Sequence, residues 1–116
     1  MQYPDIQGNT IVFASGGDLW KVPAEGGTAS RLTFSDGRET YPEISPDGSL
    51  VAFTGEYDGN ADVYVMDING GNITRITWHP GMDEVVGWNV NRNKIMFTSA
   101  RNTPSRYVKM YLVSPD

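Results

Sequence analysis

The sequence predicts an all-β protein assembled from repeated units of four short antiparallel strands, and three observations predict it. The chain repeats itself: Ile11-Val12-Phe13 returns as Val51-Ala52-Phe53 and as Ile95-Met96-Phe97, with the phenylalanines 40 and 44 residues apart. That period is the length of one β-propeller blade. The 13 glycines and 7 prolines interrupt nearly every window long enough for a helix with a 3.6-residue apolar period. The segments between them are rich in Val, Ile, Thr, Tyr and Phe, residues that suit a pleated, half-buried surface.

Each element follows from a repeated motif. Tyr3-Pro4-Asp5-Ile6 and Tyr41-Pro42-Glu43-Ile44 open the first two units. In the second unit, strand A is expected over Tyr41–Ser45, B over Leu50–Gly55, C over Asp62–Asp67 and D over Asn72–Thr77. Ser45-Pro46-Asp47-Gly48 has the residues of a type I turn between A and B, because Pro presets φ, Asp caps backbone and Gly eases the exit. Gly70-Gly71 or Asn69-Gly70 supplies the positive φ of a tight C–D hairpin. The third C strand falls at Met110-Tyr111-Leu112-Val113, aligned with Leu19-Trp20-Lys21-Val22 and Val63-Tyr64-Val65-Met66. The blades therefore span 3–33, 41–77 and 85–116, the last without its strand D. That makes about eleven strands in nearly three blades, a propeller fragment not closed within one chain.

Composition narrows the function. Nine Lys+Arg against 14 Asp+Glu leave a net charge of −5, unsuited to nucleic acid or an anionic membrane surface. No apolar run approaches the roughly 20 residues needed to cross a bilayer, and residues 1–9 lack the pattern of a signal peptide. There is no cysteine, which removes disulfides, thiolate metal sites and cysteine nucleophiles together. The absence of cysteine suits a cytosolic protein.

No catalytic constellation is evident. His79, in Trp78-His79-Pro80-Gly81, is the single histidine, and no Gly-x-Ser-x-Gly elbow accompanies it. Asp58-Gly59-Asn60-Ala61-Asp62 alternates like a calcium loop, but Val63 and Asn69 stand where an EF-hand needs Gly and Glu. It reads as a polar B–C turn, and neither a metal nor a cofactor is expected. Aromatics recurring at one position per unit (Phe13, Phe53 and Phe97; Trp20, Tyr64 and Tyr111) read as inter-blade packing.

One asymmetry remains. Strand alternation gathers the B–C and D–A connections on one face, with Asp18, Asp36, Glu39, Glu56, Asp58, Asp62, Asp83 and Glu84 opposed only by Arg38, Arg101 and Arg106. This face is either a solvated surface that keeps the protein soluble or a rim that attracts cationic segments and free amino termini of peptides. On the second reading the candidate peptide-binding residues are Arg38, Glu39, Glu56, Asp58, His79, Asp83 and Glu84.

The repeats resemble TolB-like propeller repeats, and the connections carry a closer resemblance. Pro4 to Phe13 with Asp18-Leu19-Trp20, then Tyr57 to Val65, Arg75 to Gly81 and Val85 to Trp88, resemble in that order the start of a tricorn-type peptidase. The resemblance covers nearly the whole chain and departs from the repeat at Val90-Asn91-Arg92-Asn93, which replaces Pro46-Asp47-Gly48-Ser49. It implies half of a six-bladed, non-catalytic propeller that gates peptides for a cytosolic, homo-oligomeric serine peptidase. The alternative is a TolB-like protein-interaction propeller of the cell envelope, periplasmic if a signal sequence precedes this segment. A three-blade arc leaves two apolar faces and one strand edge open. Partners are therefore the remainder of the parent protein, peptides, and a second copy completing a six-bladed ring through residues near Tyr3–Val22 and Lys109–Val113.

Overall fold

The computed structural model describes residues 2–78, 81–91, 93–99 and 109–116. Eleven strands form three antiparallel sheets in the expected order. The first sheet holds β1 (Gln2–Gln7), β2 (Thr10–Ser15), β3 (Asp18–Pro23) and β4 (Ser30–Arg31). The second holds β5 (Arg38–Ile44), β6 (Leu50–Glu56), β7 (Ala61–Asp67) and β8 (Thr74–Arg75). The third holds β9 (Asp83–Asn89), β10 (Lys94–Ser99) and β11 (Lys109–Val113). The first strands of the sheets, β1, β5 and β9, pack against one another in that order and form the inner edge of an open propeller arc.

Packing between sheets follows from the two-residue period of a strand. In β6 and β7, Val51, Phe53, Tyr64 and Met66 turn towards the first sheet and join Val12, Ala14, Leu19 and Leu32 in one core. Their neighbours Ala52, Val63 and Val65 turn the other way and meet Val85, Trp88, Ile95 and Phe97 in a second core. The middle blade is thus apolar on both faces, which is why β7 is buried along nearly its whole length. Of the recurring aromatics, Phe53, Tyr64 and Phe97 enter these inter-blade cores and Tyr111 packs against the second, whereas Phe13 and Trp20 are half-buried and belong to neither. Phe53 stacks on Tyr64 and Phe97 on Tyr111, each with ring centroids 5.7 Å apart.

Two expectations about strand limits need correction. Strand D of the middle blade is not the six-residue stretch expected from the pattern but only Thr74–Arg75. Gly71 and Asn72 sit at φ +88° and +53°, outside extended geometry, and so delay its start. After Arg75 a side chain replaces the ladder: the Val63 N–H donates to Thr77 Oγ1 at 3.0 Å, while Ile76 N–H donates to the Val63 carbonyl at 2.8 Å. The inner strands begin earlier than expected, at Arg38 and Asp83 rather than residues 41 and 85. A bulge at Tyr41-Pro42 lets β5 keep pairing on both sides of a proline that has no N–H to give. The Ser45–Gly48 turn closes as its residues dictate, with Gly48 N–H donating to the Ser45 carbonyl at 2.9 Å and Ser49 N–H to Asp47 Oδ1 at 3.0 Å.

Candidate functional site

Repeated chemistry anchors each outer strand. Asp18 opens β3 and is buried. Its carboxylate accepts from Arg31 of β4 and, at 3.3 Å, from the Thr33 hydroxyl, while Arg31 Nε donates to the Thr33 carbonyl at 3.0 Å. The middle blade repeats the unit with Asp62, Arg75 and Thr77, again with 3.3 Å from Thr77 to Asp62 and 3.0 Å from Arg75 Nε to the Thr77 carbonyl. Each guanidinium is covered by the next aromatic, Arg31 by Phe34 at 4.9 Å and Arg75 by Trp78 at 4.4 Å from ring centroid. Asp18 and Asp62 are therefore structural clamps inside the fold and are not part of an acidic surface.

Glu39 is also interior. It is 0% exposed at the junction of the first two blades, and its N–H donates to the Gly17 carbonyl at 2.8 Å. The Tyr57 hydroxyl donates to Oε1 at 3.3 Å, and Oε2 has no hydrogen-bond partner among the described residues. Burial, reinforced by the Asp18 charge, pushes the Glu39 carboxyl up to about 7, against the lowering effect of Thr33, Tyr57 and Arg31. Tyr57, which the sequence places in a loop, folds back onto Tyr64 in an edge-on contact of 4.8 Å. Gly37 and Gly55 make that fold-back possible: a Cβ at Gly55 would lie 2.8 Å from both tyrosine rings, and one at Gly37 would lie 2.7 Å from Tyr57. Asp83 takes the equivalent slot in the third blade and is likewise 0% exposed.

The expected rim residues therefore separate. Arg38, Glu56 and Glu84 come together around a cavity of about 180 Å³ beside the inner strands, which Tyr3, Tyr41 and Met82 also line. Asp58 lies further out and ion-pairs with Arg75 at 3.7 Å. Glu39 and Asp83 lie beneath this surface, and His79 falls outside the described residues. Two features of the cavity were not expected. Tyr3 and Tyr41 both adopt left-handed backbone, φ 50° and 53°, a conformation of appreciable cost for a bulky side chain, and their rings meet at 4.3 Å. The Tyr41 hydroxyl is held above its ordinary range by its hydrogen bond with Tyr3, then by burial and the nearby Glu84 charge. Chemically, the cavity offers one guanidinium and two carboxylates at a wall of aromatic rings, a set suited to the charged ends of a peptide.

A second polar groove, about 300 Å³, opens where Asp5 and Glu43 meet near Trp88 and Val90. The Ile44 N–H donates to Asp5 Oδ2 at 2.7 Å, and the Trp88 indole N–H donates to the Glu43 carbonyl at 2.9 Å. Burial first, then the charge of Asp5 and a hydrogen bond with it, pushes the Glu43 carboxyl up to about 8. At neutral pH Glu43 therefore keeps its proton. The sequence signal was the matching third residue of the two Tyr-Pro-Asp/Glu-Ile motifs. Among the described residues no cluster of three or more His, Asp or Glu side chains is placed to hold a metal ion, and no helix is long and apolar enough to cross a membrane.

Comparison with known proteins bears on what this arrangement serves. The family model of the tricorn protease N-terminal β-propeller domain matches residues 1–116. Tricorn protease homolog 1 of Streptomyces coelicolor is 35% identical over 89 residues, covering 76% of this chain and 8% of that protein. A putative tricorn-like protease N-terminal subunit of Sulfurisphaera tokodaii is 32% identical over 107 residues, covering 88% of this chain and 53% of the relative. Among solved structures, a putative TolB from Agrobacterium tumefaciens superposes with a TM-score of 0.79 at 19% identity, over 96% of this chain and 41% of that one. The crystal structure of the tricorn protease gives 0.75 at 24% identity, over 85% of this chain and 11% of that one. The chain spans about half, or much less, of the length of these curated relatives.

Proposed function

The chain belongs to the tricorn protease N-terminal β-propeller domain family, and from that premise we propose that it is a non-catalytic propeller scaffold selecting peptides for a serine peptidase centre elsewhere in its parent protein. The observation that carries the proposal is the cavity among Arg38, Glu56 and Glu84 at the inner rim of the arc. The Arg38 guanidinium suits the carboxylate of a peptide, while Glu56 and Glu84 suit a free amino terminus or a cationic side chain. Tyr3 and Tyr41 supply the adjoining apolar wall. Asp58 lies further out on the same face and adds to its field. Glu39 and Asp83 lie buried beneath it.

The parent protein on this reading is a cytoplasmic homo-oligomer in which further blades close the ring. A second reading, a TolB-like protein-interaction propeller, is favoured by the superposition on TolB, a likeness of fold alone. A binding assay separates the two. A labelled tetrapeptide with a free amino terminus is titrated with the chain by fluorescence anisotropy, beside its N-acetylated form. Acetylation and the double variant Glu56→Gln/Glu84→Gln should each weaken binding several-fold. Equal affinity of the two peptides, or none for either, would count against peptide selection. The chain alone should not turn over fluorogenic peptides, and cleavage abolished by His79→Ala would overturn its non-catalytic role.

A further inference from the structure

We propose that the rim cavity at Arg38 also binds a free α-amino acid with an apolar side chain, gripped at both of its charged ends. The inference rests on the proposed reading of this cavity as a peptide-recognising rim, and gives that rim a smaller occupant which competes with peptide.

The pairing register places the charges. Arg38 and Glu56 are direct partners across β5 and β6. Residues directly opposite in an antiparallel pair share one face, with Cβ atoms about 5 Å apart. Opposite charges so placed are within reach of each other, yet neither residue makes an ion pair among the described residues. Glu84, on the neighbouring β9, makes none either. A guanidinium and two carboxylates are thus left open on one cavity.

Size decides which ligand can use both signs at once. A volume of about 180 Å³ equals a sphere about 7 Å across. An extended peptide advances about 3.3–3.6 Å per residue, so the ends of a tetrapeptide lie about 13 Å apart and cannot both enter. In a free α-amino acid the ammonium and carboxylate hang on one carbon, and both enter together. The carboxylate suits Arg38 and the ammonium suits Glu56 and Glu84, with charge-assisted hydrogen bonds at each end. An apolar side chain suits the remaining wall of Tyr3, Tyr41 and Met82, the last 56% exposed. The left-handed backbone of both tyrosines is strain of the kind that clusters at ligand sites.

The test titrates the full 116-residue chain with leucine, leucinamide and N-acetyl-leucine by calorimetry, at about pH 6.5 where free α-amino groups keep their proton. Leucine should bind about tenfold more tightly than either capped form, since each cap removes one charged end. Arg38→Gln, at an exposed position, should erase the difference between leucine and leucinamide. Leucine should also displace the labelled tetrapeptide. If the tetrapeptide binds through its amino terminus and leucine does not bind, the amino-acid site is overturned while peptide selection stands. Leucine binding without tetrapeptide binding would leave this site standing and remove peptide selection. Binding of neither removes both. Leucine affinity indifferent to the caps, or a leucinamide penalty that survives Arg38→Gln, would overturn the two-ended grip.

Discussion

Replacing Glu39 by Gln should make the protein more stable at neutral pH and leave it unchanged in mild acid. The structure holds this carboxyl at 0% exposure with one oxygen unpartnered, so the folded state favours the neutral form. Its value rises from 4.5 to about 7. At about 1.4 kcal/mol per unit, that difference corresponds to roughly 3 kcal/mol. The sign follows from a folded value above the unfolded one. The stabilising contribution of the protonated group is complete below about pH 4.5 and is lost as pH rises through about 7. Glutamine mimics the protonated carboxyl at every pH, so the stability difference between variant and parent should be near zero at pH 4 and grow to about 3 kcal/mol by pH 8. Urea denaturation followed by tryptophan fluorescence at intervals across that range measures it. Taking the difference cancels Glu43, which titrates in the same window. Parallel pH curves for the two proteins would refute the reasoning.

Three further perturbations test the packing and the clamps. Phe53→Ala should cost about 3–5 kcal/mol in urea denaturation, and clearly more than Phe13→Ala, whose ring lies on the half-exposed face of the first blade; equal losses would contradict the facing of the sheets. Arg75→Ala leaves Asp62, 0% exposed, without its cation and should cost about 3–5 kcal/mol, with faster amide exchange at Ile76 and Thr77. Unchanged exchange there would show that the clamp does not hold β8. Gly55→Ala should displace Tyr57 from Tyr64 and cost about 1–3 kcal/mol, read as a lowered thermal midpoint; a neutral result would mean that the rings give way freely.

What the sequence revealed was what recurs. Phe53 and Phe97 could be assigned to inter-blade packing because the same slot is aromatic in every unit, and Ser45–Gly48 could be assigned to a turn because each residue has a local backbone role. The acids were misjudged for the opposite reason. Asp18 and Asp62 sit among turn residues and look solvated, yet their partners lie 13 and 15 residues later, a distance that only the folded blade closes. The signal existed, since Asp, Arg and Thr keep the same spacing in both blades. Glu39 and Tyr57 left no such trace. Their contact depends on a ring folding back over Gly55, a position that is Ser15 and Ser99 in the other two units. The cavity around Arg38, Glu56 and Glu84 draws on all three blades and was visible only as three members of a charged list.

The meeting of Asp5 and Glu43 has a wider consequence. In a ring of near-identical units, whatever is written at one position is brought face to face with its own copy in the next unit. For an apolar side chain this self-encounter adds cohesion at each step round the circle. For a charge it adds repulsion that grows with every blade, so an acidic inner slot is self-limiting. Two means of limiting it are present here. The second carboxyl keeps its proton, and the register places Gly87, with no side chain at all, at the same slot in the third blade. Variation among the repeats at this slot is thus a requirement of circular architecture, independent of any ligand the propeller encloses.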